Sequence, residues 1–125
     1  MKLDPDLVRQ ILLKVEEFPF DGAFHDVEIE GRTENEIDYH VMLLHEAGLL
    51  EALDLSTLSG PCWKPTRLTY DGHQFLDAAR SDTVFQKAKA WSLKSTGTLT
   101  LEGLKFALPH VVKRYVNPKL SGNPG

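Results

Sequence analysis

The sequence has little sulfur and no long apolar run. Cys62 is the one cysteine among 125 residues, so no internal disulfide can form, and no stretch approaches the roughly 18 uninterrupted apolar residues of a membrane span. The start, MKLDPDLVRQ, carries no apolar block of the secretory kind. These absences point to a reducing, cytoplasmic home without membrane contact. Neither GxGxxG nor the GxxxxGK[ST] phosphate loop occurs, and Asp71-Gly72-His73 has no serine or partner acid arranged like a triad. No enzyme, cofactor or small-molecule substrate is expected. Internal repeats and low-complexity blocks are missing as well. What remains, 42% hydrophobic and 26% charged residues, is ordinary globular composition for about one domain. Fourteen bases against eighteen acids give a net charge of −4, which argues against coating nucleic acid by bulk attraction.

Local chemistry marks the elements. Asp4-Pro5 reads as a helix start, the carboxylate accepting an orphan amide and proline giving up a donor that has no partner there. Leu7, Val8, Ile11, Leu12 and Val15 follow at helical spacing, predicting a helix over Pro5 to Glu17 that Pro19 ends. Val27 and Ile29 alternate with acids and predict a short strand closing at Gly31. Thr33-Glu34-Asn35-Glu36 is a capping box, opening a helix from Glu34 to about Ala47 with Ile37, Val41 and Leu44 inward and Gly48 as its left-handed stop. Leu49 to Leu55 and Trp63 to Thr69 make a hairpin with Gly60-Pro61 near its tip. Helices then start near Thr69, at Asp82 and at Thr98 or Thr100. The last carries Leu101, Leu104, Leu108, Val111 and Tyr115 and should be kinked or divided by Pro109.

This order, with Glu46-Ala47-Gly48-Leu49-Leu50 closing the second helix and Arg67-Leu68-Thr69-Tyr70-Asp71-Gly72 following the hairpin, resembles a winged helix-turn-helix of the MarR and PadR type. DPDLVRQILLKVE, IEGRTENEIDYHVMLLHEAGLL and RLTYDGHQFLDAARSDTVFQKAK together resemble a bacterial and phage family known only as domain of unknown function twenty-five thirteen. The resemblance implies an α+β, mainly α fold: a winged helix with a short hairpin wing and extra C-terminal helices. It brings no catalytic residue. The expected division is a winged-helix domain over 1–80, a helical extension over 81–116 on the same core, and a frayed tail over 117–125. The stretch from Asp21 to Gly31 lacks helical pattern, so the scaffold helix before the recognition helix is shortened or missing.

In a winged helix the outward residues of the second helix read the major groove. Here Asn35, Asp38, Tyr39, Met42 and Leu43 are expected outward, and of these only Asn35 is a good base reader. Residues 24–58 hold nine acids against Arg32, a net of −8, whereas 81–125 carries +5. Two readings follow. A regulator would touch DNA with Asn35, Tyr39, Lys64 and Arg67, and hold phosphates with Lys87, Lys89 and Lys94. A protein-interaction module, binding itself or an adaptor's partner, would instead use Asp38, Tyr39, Met42, Leu43 and Glu46 as an apolar strip on an acidic rim.

His40 and His45 lie five apart, about 140° around a helix, which does not suit a shared metal ion. The expected roles are a carbonyl bond for His40 and solvation for His45. Cys62 reads as a small apolar filler, and Trp63 and Trp91 as core anchors or helix-packing contacts, with Trp91 also placed to cover a dimer seam.

Overall fold

A computed structural model describes residues 1–113. The described elements are α1 (Pro5–Glu16), α2 (Glu34–Glu46), β1 (Leu50–Asp54), β2 (Trp63–Leu68), α3 (Tyr70–Ala79), α4 (Asp82–Thr96) and α5 (Leu101–Val111). The fold is α+β and mainly α. It divides into two compact units, residues 1–74 and the chain from Phe75 onward, with α3 running across the division. Tyr115 and the tail expected over 117–125 lie outside the described residues.

In the first unit α1 packs on α2 and β2, and α2 packs on both strands. Leu7, Val8, Ile11 and Leu12 of α1 are fully buried with Val41 and Leu44 of α2, the period-3.6 stripes that the sequence displays. Asp4 caps α1 by accepting from the amides of Asp6 and Leu7. The capping box forms in both directions: Thr33 Oγ1 accepts from the Glu36 amide at 3.1 Å, and Glu36 accepts from the Thr33 amide at 3.2 Å. Gly48 ends α2 at φ +77°, where a Cβ would be strained.

β1 and β2 pair antiparallel from Leu50↔Leu68 to Asp54↔Trp63, with a bulge between Glu51 and Ala52. Thr57 and Gly60 bridge each other, so the tip is Leu58-Ser59, with Gly60-Pro61 directly after it. The strand expected at Val27 and Ile29 is absent. That segment alternates as predicted, Val27 buried and its neighbours exposed, but the one backbone bond it makes to the hairpin runs from the His25 amide to the Pro65 carbonyl at 3.3 Å. Proline in β2 has no amide to return, and a single bond makes no ladder. No helix forms between α1 and α2 among the described residues, as the missing helical pattern predicts.

In the second unit α4 and α5 pack together. Ser81 and Thr100 cap them through the amides of Val84 and Gly103, and Gly97 stops α4 at φ +79°. α5 contains Pro109 yet is not divided there; it runs to Val111. Two glycines have tertiary reasons. A Cβ on Gly72 would stand 1.8 Å from the Leu49 carbonyl oxygen, and one on Gly103 would stand 2.6 Å from Ser92 Oγ.

Candidate interaction surface

Helical geometry sets the face of α2 opposite its core stripe as Asn35, Tyr39, Met42 and Glu46, with Leu43 on one flank. Asn35 and Glu46 are exposed, and Tyr39, Met42 and Leu43 half-buried. Asp38 departs from expectation. It is 6% exposed, turned toward the hairpin, where its carboxylate lies 3.9 Å from Lys64 Nζ. Burial raises its pKa above the ordinary carboxylate value, against the pull of the Lys64 charge.

Two cations beside α2, Lys64 and Arg32, are held by carboxylates. Lys64 Nζ lies 3.5 Å from Asp26 as well as near Asp38, and its side chain is only 15% exposed. Burial works against its charge, but the two carboxylates raise its pKa on balance. Arg32 sits 2.7 Å from Asp4 and 3.3 Å from Glu36. Burial would raise the Asp4 pKa, but the Arg32 guanidinium and the amides of Leu7 and Asp6 hold it below its usual value. Glu36 is held low first by the Thr33 amide and then by Arg32. Glu28, Glu30, Glu34 and Glu46 stay exposed around this ground.

Both helix histidines have structural surroundings. His40 is 1% exposed; its Nδ1 donates to the Glu36 carbonyl at 2.8 Å, and its Nε2 accepts from the Asp4 amide at 2.8 Å. This ring joins the cap of α1 to the first turn of α2. His45 is not solvated as expected: it is half-buried, its ring 5.6 Å from that of Trp63, with Nδ1 buried and lacking a hydrogen-bond partner. Cys62 is half-buried beside Trp63, its amide donating to Ser56 Oγ at 3.0 Å.

The residues expected on DNA fall in both units. Asn35, Tyr39, Lys64 and Arg67 belong to the first; Arg67 is exposed and donates to the neighbouring Leu68 carbonyl. Lys87, Lys89 and Lys94 lie on α4, with Lys87 and Lys94 exposed and Lys89 5.6 Å over the Phe85 ring. The second unit also holds a grouping that the sequence reading missed: Trp91 stacks on Phe106 at 5.6 Å and on His110 at 5.0 Å. The i, i+4 spacing of Phe106 and His110 was the available signal, but only the pairing of α4 with α5 brings Trp91 to them.

The family model described as a hypothetical protein, DUF2513, matches residues 2–99. The chain is also similar to an uncharacterized protein of Haemophilus influenzae, 36% identical over 115 residues, covering 91% of this chain and 98% of the relative. No solved structure matches.

Proposed function

The chain is thus a member of the DUF2513 family, and we propose that it is a non-enzymatic, cytoplasmic protein-interaction module that docks through the outward face of α2. The observation that carries this reading is the fate of the cations: Lys64 and Arg32 are each held by two carboxylates, so α2 presents Tyr39, Met42 and Leu43 within exposed acids. Such a surface repels phosphate, while half-buried aromatic and thioether groups with a charged rim suit a protein partner.

Exposed Arg67, Lys87 and Lys94 favour a second reading, a winged-helix regulator that binds DNA through its hairpin and C-terminal helices and not through α2. Titration of labelled random duplex over a range of salt separates the two. The module shows no saturable binding; affinity that falls steeply with salt and is lost on Arg67→Glu overturns it. Sizing provides the positive arm, with Tyr39→Ala and Leu43→Asp expected to abolish association.

A further inference from the structure

The second unit carries a surface of opposite character to α2. Phe106, 71% exposed, and His110, also exposed, lie stacked with Trp91. Around α4, Lys87 lies four residues before Trp91 and Lys94 three after, the spacings that put side chains on one face. Just past the end of α5, Lys113 follows His110 by three and is exposed. From residue 81 to 113 five lysines stand against Asp82 and Glu102, whereas residues 24–58 hold nine acids and one base.

We infer that the partner of the α2 face is a second copy of this chain, which presents the lysine and aromatic face of α4 and α5. The inference rests on the interaction reading of α2 and adds the occupant. Sign decides among the ways two copies can meet. Pairing α2 with α2 would bring Glu34 and Glu46 onto themselves, and pairing the α4–α5 face with itself would oppose lysines; like charges across an interface cost several kcal/mol. Only the crossed pairing matches acid to lysine at the rim. It also matches apolar groups at the centre, with Tyr39 and the Met42 thioether against Trp91 and Phe106, contacts that sulfur and aromatic edges favour. A contact between two different faces is heterologous, so association runs head to tail and grows with concentration.

Sedimentation velocity across a wide concentration range tests this with two full-length variants, Glu34→Lys/Glu46→Lys and Lys87→Glu/Lys94→Glu, each checked for native circular dichroism. The expected result is wild-type assembly that grows with concentration and weakens with salt. Each variant alone associates at least about tenfold more weakly, as reversing rim charges demands. The decisive arm is an equimolar mixture, in which every contact between unlike variants again sets acid against lysine, intact face on intact face and reversed face on reversed face: assembly that neither variant shows alone returns. Phe106→Ser, an uncharged change at an exposed residue, weakens assembly likewise. A monomeric wild type at every concentration overturns the inference, as does a mixture that stays monomeric. If the α2 reversal abolishes assembly while the lysine reversal and Phe106→Ser do not, the crossed pairing is wrong and the α2 reading stands. If only the lysine and Phe106 changes matter, both fail. Tight, salt-sensitive binding of labelled oligo-dT, lost in Lys87→Glu/Lys94→Glu, would assign the face to single-stranded nucleic acid and overturn the inference.

Discussion

Two histidines five residues apart on α2 should respond oppositely to the same substitution. In His40→Leu the part-buried Asp4 amide loses its acceptor, at a cost of about 1–3 kcal/mol. That amide belongs to the residue capping α1, so loosening it also weakens a cap worth about 1 kcal/mol. Leucine roughly preserves volume, and the Glu36 carbonyl keeps its place in the helix, so cavity and second-acceptor costs are small. The expected loss is about 2–4 kcal/mol, a large share of a marginal stability. His45→Leu removes a ring whose buried Nδ1 has no hydrogen-bond partner, which by the same reasoning is neutral or stabilising. Urea denaturation is the assay, followed by Trp63 fluorescence in a Trp91→Phe background so that the signal comes from the first unit, with equal m-values required before the comparison is made. A His40→Leu protein within about 0.5 kcal/mol of its parent, or one no less stable than His45→Leu, would refute the reasoning.

Further outcomes follow from the same geometry. Gly72→Ala should destabilise by about 2 kcal/mol or more, because its Cβ meets the Leu49 carbonyl, which is backbone and cannot rotate away; a gain in thermal midpoint, as helix propensity alone would give, contradicts the close approach. Thr33→Ala should cost about 1 kcal/mol by opening the capping box, read by the same urea titration; an unchanged midpoint would count against it. Arg32→Met should change the acid limb of stability. Asp4 and Glu36 are held below their usual pKa values, so their ionised forms support the fold above the unfolded values near pH 4, and this support is lost as pH falls through the folded values. The gap between wild type and Arg32→Met is therefore widest near neutrality and closes on acidification; a gap that is constant with pH rejects the assignment.

What could be read in the sequence was local, and what could not was tertiary. Asp4-Pro5, Thr33 with Glu36, and Gly48 each act within one turn of chain, and all do what their chemistry predicts. The alternation at Val27 and Ile29 was present but insufficient, since a strand needs a partner and Pro65 withholds half of one. Asp38 turned inward toward a lysine on β2, a meeting across 26 residues that no helical wheel contains. Gly72 read only as part of a helix start; its constraint is a carbonyl 23 residues earlier. For the candidate surface, Asn35, Tyr39, Met42 and Glu46 emerge on the outward face as their spacing requires, while the Trp91, Phe106 and His110 stack depends on how two helices pair.

The hairpin bears on how this chain can aggregate. A two-stranded sheet has only edges, and an edge strand offers unpaired amides and carbonyls to any other chain. Here the strands are five and six residues long, a bulge interrupts β1, and β2 carries Pro65, whose missing amide leaves a gap in any ladder built on it while its carbonyl is already bonded to His25. Fibre growth by strand addition therefore has no continuous template on β2. Concentrating the folded protein should yield no cross-β assemblies that grow from this strand.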